Sequence, residues 1–329
     1  MQTWEYPQLA ERIGAFIRDP AANDFGNLAL AIHQMQARQN APYGKFCAGR
    51  AAPAAWWEIP AVPLDAFRHF SMIAFPPEEI RTTFRTSGTT GEGYGQHHFS
   101  SLALYETAAL SGWRQAGLPE GNVRALLASE QEACHSSLSY MAAWLTNRFY
   151  LRGGEFQWDA LERGLAGAGS PVCLFGTALG FLNWFDRLGD HRLELPPGSL
   201  AVETGGYKGA DRSLPKDALY ALFERHLGLA GDAVVNEYGM TELSSQFYTR
   251  GLGRPHRGGH WVRARVIDPA TGGEAADGET GVLRIFDLAN LGSALALQTR
   301  DLAVRRGADF ELIGRDPQAL PRGCSRAVR

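Results

Sequence analysis

The sequence predicts an α/β fold in which a parallel sheet covered by helices is followed, near the C-terminus, by an antiparallel β portion. Between residues 82 and 236, short apolar runs alternate with segments of helical spacing, the order that builds parallel strands with crossover helices. After Gly253, the pairs Asp268-Pro269, Gly272-Gly273 and Asp277-Gly278, and then Gly292, break the chain into short strands joined as hairpins. With 329 residues, 45% of them hydrophobic, the chain can bury a core for one large domain or two modest ones.

Residues 9–17 and 28–35 carry helical spacing, and Pro60, Pro63, Pro76 and Pro77 punctuate the stretch after them, so residues 1–80 read as a helical lead-in. Residues 81–253 read as an α/β core. A strand from Thr82 leads into a Gly/Thr loop and then a helix over 100–116. Strands over 123–128, 171–175, 199–203 and 234–236 alternate with helices over 136–149, 179–188 and 216–227. Residues 254–315 are the antiparallel part of the same large domain, and 316–329 a short tail. Repeats and low-complexity tracts are absent.

Composition excludes several classes. A formal charge of −3 provides no basic excess for nucleic acid. No apolar run approaches the roughly 18 residues of a membrane helix. The start, Met1-Gln2-Thr3-Trp4-Glu5, lacks the basic-then-apolar layout of a signal peptide, so a cytoplasmic location is expected. The four cysteines, at 47, 134, 173 and 324, show neither CxxC nor zinc-ligand spacing, which leaves any functional cysteine to act singly. Cys47, Cys134 and Cys173 sit among apolar residues and are expected in the core.

The segment Thr86, Ser87, Gly88, Thr89, Thr90, Gly91 offers backbone N–H groups and hydroxyls to an anion with little bulk in the way. Gly93 and Gly95 extend it, as suits a loop that closes over a triphosphate. It is neither a Walker sequence, since no Gly-Lys-Ser/Thr comes after it, nor a GxGxxG turn opening directly into a helix. Downstream come Asn236-Glu237-Tyr238-Gly239-Met240-Thr241-Glu242, then Thr299-Arg300-Asp301, then Gly314-Arg315. A carboxylate such as Glu242 together with phosphate oxygens suits Mg²⁺, and Asp301 could accept two ribose hydroxyls. Read singly, these residues are equally a strand-end cap, a solvated glutamate and an Asp301–Arg300 pair.

As an ordered set over about residues 80–315, the motifs resemble those of the adenylate-forming superfamily of acyl-CoA synthetases, adenylation domains and firefly-type luciferases. The resemblance implies the large domain of that fold. It gives the β- and γ-phosphates to Thr86, Ser87, Gly88, Thr89, Thr90 and Gly91. It sets Tyr238, within Glu237 to Met240, against adenine, Thr241 on the α-phosphate, Glu242 on Mg²⁺, Asp301 on the ribose, and Arg315 on ribose or phosphate. His135 lies where the superfamily often places a residue near the acyl or pyrophosphate end, although a helix-start or core histidine is as good a reading.

Ile59-Pro60 through Pro63-Leu64, the run Glu203-Thr204-Gly205-Gly206-Tyr207-Lys208-Gly209, and the ending Arg322-Gly323-Cys324-Ser325 extend the likeness to nearly the whole chain. They resemble the acyl-protein synthetase (LuxE-like) family. That family adenylates an acyl group and passes it to a cysteine near its own C-terminus, which implies Cys324 here. Arg322 and Arg326 flank Cys324 and would raise its thiolate fraction above that of a thiol with a pKa of about 8.5. Gly205, Gly206 and Tyr207 would line adenine.

Two departures stand out. The superfamily's loop continues to a proline and a lysine, where this chain has Glu92, Gly93, Tyr94, Gly95 and Gln96. The small C-terminal domain that normally brings a catalytic lysine is expected to be absent, and Lys208 is the candidate replacement. The function expected is ATP- and Mg²⁺-dependent activation of a carboxylic acid, with transfer to a thiol: first Cys324, then a reductase or acyl carrier protein. The alternatives are a ligase acting on coenzyme A or a carrier-protein thiol, and an inactive fold serving as a binding subunit. Trp144, Phe149, Phe181, Trp184 and Phe185 are either core or the lining of a pocket for an apolar acyl group such as a fatty one.

Overall fold

The computed structural model describes residues 6–86, 94–205 and 214–315, Arg315 through its backbone alone. The first helix, α1 (Tyr6–Arg18), buries Leu9, Ile13, Phe16 and Ile17 on one stripe. Asp24 caps α2 (Phe25–Gln39) by accepting the Asn27 N–H at 2.9 Å, and Asn40 caps α3 (Ala41–Cys47) through the Tyr43 N–H. A short strand, β1 (Val62–Pro63), and the single turn α4 (Ala66–His69) come next.

The following element departs from expectation. β2 (Thr82–Arg85) runs antiparallel to β3 (Gln96–Phe99), with Thr82 opposite Phe99 and Arg85 opposite Gln96. The Thr86 loop therefore joins two strands of a hairpin and does not lead straight into a helix. Gln96-His97-His98 carries no strand signature, so only the pairing makes β3 a strand.

The alternating portion then unfolds as α5 (Ala103–Gln115), β4 (Val123–Leu126), α6 (Ser137–Leu145), a hairpin of β5 (Leu151–Arg152) and β6 (Glu155–Phe156), α7 (Trp158–Ala166), β7 (Cys173–Thr177), α8 (Ala178–Leu188), β8 (Leu200–Thr204), α9 (Lys216–Leu227) and β9 (Val234–Tyr238). Helix α6 stops short of the expected residue 149. Thr146 turns its hydroxyl to the Val123 carbonyl at 2.8 Å, and Phe149 bridges to Ala125 as extended chain. Neither the β5–β6 hairpin nor α7 is evident in the sequence pattern.

Strands β10 (Phe247–Arg250) and β11 (Arg257–Gly258) complete a six-stranded sheet of order β11-β10-β9-β8-β7-β4. Strands β4, β7, β8 and β9 are parallel, while β10 and β11 are antiparallel additions at the edge. In this sheet antiparallel pairing thus begins at Phe247, ahead of Gly253. Helices cover both faces: Phe175, Val202, Val235 and Tyr248 pack with Trp113 and Met141, and Leu174, Ala201 and Val234 pack with Phe181 and Phe223.

The chain then builds β12 (Val262–Ile267), β13 (Thr280–Asp287), β14 (Ala296–Arg306) and β15 (Asp309–Arg315). These form a five-stranded sheet in which β1 lies parallel to β14. Leu9, Ile13 and Ile32 from the N-terminal helices share one core with Ile285, Phe286 and Leu297 of this sheet. The two ends of the described chain are therefore packed together, and the parallel sheet lies between them in sequence. Among the described residues, no helix is long and apolar enough to cross a membrane.

Candidate active site

The β2–β3 hairpin closes the base of the Gly/Thr loop. The Thr86 N–H donates to the Gly95 carbonyl at 2.9 Å, and the Gly95 N–H donates to Thr86 Oγ1 at 2.8 Å. A Cβ at position 95 would stand 3.0 Å from Thr86 Oγ1 and 3.1 Å from its Cγ2, so the closure depends on glycine. One residue into β3, His97 is 2% exposed, and its Nδ1 donates to the Thr241 carbonyl at 2.8 Å. Burial pushes the His97 pKa down to about 4, which leaves a neutral imidazole able to donate from Nδ1 and ties the loop's hairpin to the Tyr238–Glu242 motif.

Strands β8 and β9 end side by side, with Glu203 opposite Asn236 and Thr204 opposite Glu237. In a doubly covered sheet, ligands bind at such carboxyl ends. Alternation sends the two pairs to opposite faces. On one face the Thr204 hydroxyl donates to Glu237 Oε2, while burial raises the Glu237 pKa to about 7. On the other, Asn236 Oδ1 accepts from Lys216 Nζ and His256 Nε2, both at 2.7 Å. Burial pushes Glu203 up and Lys216 down, and their attraction across 3.8 Å opposes both shifts. Just past β8, Gly205 has φ +73°, and among the described residues no atom lies within 4 Å of where its side chain would begin.

A bulge delivers the third motif. Val282 pairs with Leu302 and Arg284 with Gln298, so Leu283 of β13 alone faces Thr299, Arg300 and Asp301 of β14. Thr299 Oγ1 donates to the Leu283 carbonyl at 2.7 Å and accepts the Asp301 N–H at 3.0 Å. Bulges of this kind re-aim a side chain. Here Asp301 Oδ2 receives the Tyr238 hydroxyl at 2.7 Å, and the Arg315 backbone lies opposite Asp301 in the β14–β15 ladder.

The structure thus brings Thr86, Gly205, Glu237, Tyr238, Gly239, Met240, Thr241, Glu242 and Asp301 to two connected regions, the β2–β3 hairpin and the ends of β8 and β9 beside the mid-strand bulge of β14. His135 is exposed in the turn before α6, and its Nδ1 meets the Thr83 carbonyl at 2.9 Å on the strand leading into the loop. Ser87, Gly88, Thr89, Thr90, Gly91, Gly206, Tyr207, Lys208 and Cys324 lie outside the described residues, as does the side chain of Arg315.

One expectation is corrected, and one open choice is decided. Of the cysteines assigned to the core, only Cys173 is buried; Cys134 is exposed and Cys47 intermediate, because each lies beside a turn. The five aromatics do not form one pocket. Phe181, Trp184 and Phe185 belong to the core on one face of the parallel sheet, while Phe149 and Trp144 belong to the other. The residues missed were the buried polar partners His97, His256, Asp287 and Asn290, and the exposed Lys216 that reaches Asn236. Polar letters inside otherwise apolar runs, as in Ser244-Ser245 and Asp287-Leu288-Ala289-Asn290, were the available signal. Cavities of about 500 Å³ and about 700 Å³ flank β10 and β11, and neither is lined by the Tyr238–Glu242 motif.

The architecture has solved counterparts. ATP-bound MatB from Rhodopseudomonas palustris superposes with a TM-score of 0.52 at 17% identity, covering 75% of this chain and 50% of that one. An open conformation of 2-hydroxyisobutyryl-CoA ligase in complex with 2-HIB-AMP and CoA gives a TM-score of 0.65 at 13% identity, covering 95% and 75%. O-succinylbenzoate coenzyme A synthetase (MenE) from Bacillus subtilis, in complex with ATP and magnesium ion, gives 0.51 at 15% identity, covering 71% and 50%. The chain spans about half the length of the MatB and MenE chains. Neither a family model nor a curated protein matches the sequence. The likeness is one of fold: the chain shares the mixed α/β architecture of these solved ligase structures.

Proposed function

We propose that this protein activates a carboxylic acid with ATP, giving an acyl-adenylate and pyrophosphate, and then passes the acyl group to a thiol. The observation that carries the reading is the Tyr238–Asp301 hydrogen bond at 2.7 Å, set where β8 and β9 end and beside the Thr241–Glu242 segment. An aromatic ring, a carboxylate fixed by that ring's hydroxyl, the glycine backbone at Gly205 and a buried glutamate form a donor set that fits a magnesium nucleotide.

In the reaction, a carboxylate oxygen of the acid attacks the α-phosphorus of ATP. The bond to the bridging oxygen breaks, and pyrophosphate leaves with the electron pair. Asp301 accepts the ribose hydroxyls, and Tyr238 lies against adenine while holding Asp301 in place. Thr241 donates to the α-phosphate. Thr86, Ser87, Gly88, Thr89, Thr90 and Gly91 offer hydroxyls and amides to the outer phosphates. Mg²⁺, held through Glu242, supplies charge neutralisation at the phosphates. Lys208 adds a cation, and His135, anchored to β2, stands at the acyl or pyrophosphate end. Stabilising the charge that develops on phosphate oxygens is the main demand of such a transfer.

The second step is thiolate attack on the acyl carbonyl carbon, with the carbon–oxygen bond to AMP breaking. Cys324, flanked by Arg322 and Arg326, is the first acceptor in this reading, as in the LuxE-like family. Transfer to coenzyme A or a carrier-protein thiol is a second reading, favoured by the CoA-bound ligase that aligns with 95% of this chain. Pyrophosphate release with ATP and a panel of fatty, aryl and amino acids tests the first step, and silence across the panel would refute it. Intact mass after loading tests the acceptor: a covalent acyl adduct that persists in Cys324→Ala rules out self-acylation at that residue.

A further inference from the structure

Residues 241–246 join β9 to β10 without belonging to either strand, and all six are buried. Buried backbone outside a ladder must find its hydrogen-bond partners elsewhere. Here side chains from distant elements supply them. His97 Nδ1 donates to the Thr241 carbonyl, and Asn290 Nδ2 donates to the Glu242 carbonyl at 2.8 Å. Asp287 Oδ2 accepts the Ser244 N–H at 2.9 Å, and its Oδ1 accepts the Ser245 hydroxyl at 2.7 Å. Asn290 Oδ1 accepts the Ser244 hydroxyl at 2.7 Å, so Asn290 grips the segment at two points.

The turn that carries Asp287 and Asn290 is itself held from α2. Gln36, fully buried, donates through Nε2 to the carbonyls of Asn290 at 2.9 Å and Leu291 at 3.0 Å, and accepts the Leu295 N–H at 3.0 Å. A path of hydrogen bonds therefore runs from α2, through residues 287–295, to the Glu242 carbonyl and to Ser244 and Ser245. Ser293, in the same turn, has a buried hydroxyl with no partner among the described residues and is the natural control.

We propose that Asn290 is a positioning residue, which fixes the backbone at Glu242 in the geometry required by a magnesium nucleotide. The inference rests on the functional reading above for its ligand but not for its geometry. Losing such a support around a metal ligand typically costs about 10–100-fold in metal affinity.

The test uses the full chain and two readouts. In the protein without nucleotide, Asn290→Ala, and the milder Ser244→Ala, speed amide hydrogen exchange in residues 241–246 while leaving β8 unchanged. In titrations followed by calorimetry, the Mg²⁺ concentration for half-maximal ATP binding rises about tenfold in Asn290→Ala. Ser293→Ala matches the unsubstituted protein in both. Exchange in 241–246 that is unaltered in both variants, or faster throughout the molecule, overturns the positioning role. So does an unmoved Mg²⁺ midpoint in a chain that binds ATP. If the unsubstituted protein binds no nucleotide, the functional reading and the ligand half of this proposal fall, and exchange still decides the geometric half.

Discussion

The Tyr238 hydroxyl donates to Asp301 Oδ2 at 2.7 Å across 63 positions of sequence, joining the last residue of a parallel strand to a bulge in the antiparallel sheet. A hydrogen bond to a carboxylate contributes about 1.5–3 kcal/mol when made and leaves a costly acceptor when removed. Tyr238→Phe keeps the ring and loses this bond. It should raise the Kd for ATP about tenfold, equivalent to about 1.4 kcal/mol, with the AMP portion of the ligand affected equally. Equal ATP and AMP affinities in Tyr238→Phe and the unsubstituted protein would remove Asp301 from the ribose site.

Thr299 sets the bulge by bonding both the Leu283 carbonyl and the Asp301 N–H. Thr299→Val preserves shape and strips both bonds. The expected outcome is a loss of about 1–3 kcal/mol in chemical denaturation, together with a nucleotide affinity as low as that of Tyr238→Phe. A stable Thr299→Val chain with unaltered affinity would show that the bulge does not aim Asp301.

At the loop, Gly95→Ala forces a methyl to about 3 Å from Thr86, tighter than ordinary contact. The Thr86–Gly95 closure should open, lowering ATP affinity but leaving AMP affinity near its original value, since the proposed function assigns only the outer phosphates to this loop. Parallel titrations with ATP and AMP separate the two.

Glu237 makes a signed prediction. Its folded pKa is raised by burial to about 7, so the fold favours the protonated form. The stability this lends is fully present below the unfolded pKa, 4.5, and is lost as pH rises towards 7, with a limiting slope of about 1.4 kcal/mol per pH unit. Glu237→Gln should therefore gain on the unsubstituted protein between pH 5 and about 7, as read from urea midpoints. A constant difference across that range would contradict the assignment.

His97 runs the other way. Its pKa falls from 6.5 to about 4 on burial, so stability is lost as pH drops through that window and the unfolded chain takes up the proton first. His97→Gln should flatten this acid limb. An acid limb as steep as the original would place the titrating group elsewhere.

The alternating strands and helices were legible because apolar periodicity reports directly which face of a segment is buried. The expected helix over residues 216–227 coincides with α9 (Lys216–Leu227). The Thr86, Tyr238 and Asp301 motifs were legible as residue types in order, since hydroxyls, an aromatic ring and carboxylates announce what they can bind. β3 was not legible: Gln96-His97-His98 becomes a strand only when β2 supplies its partners. Nor were the roles of Gln36 and Asn290, residues of ordinary turn and helix composition separated by 254 positions. For the five aromatics the core reading holds, divided between two faces of the sheet, because adjacency in sequence says nothing about which side of a sheet a helix will cover.

The sequence by itself determined the α/β class, most of the parallel strands and the chemical identities of the groups at the site, because these depend on local pattern and residue type. Only the tertiary structure decided that the Thr86 loop closes a hairpin, that a bulge turns Asp301 onto Tyr238, and that Thr241 and Glu242 are held by His97 and Asn290. Those contacts arise from buried backbone groups seeking partners, and the partners available depend on how distant segments pack.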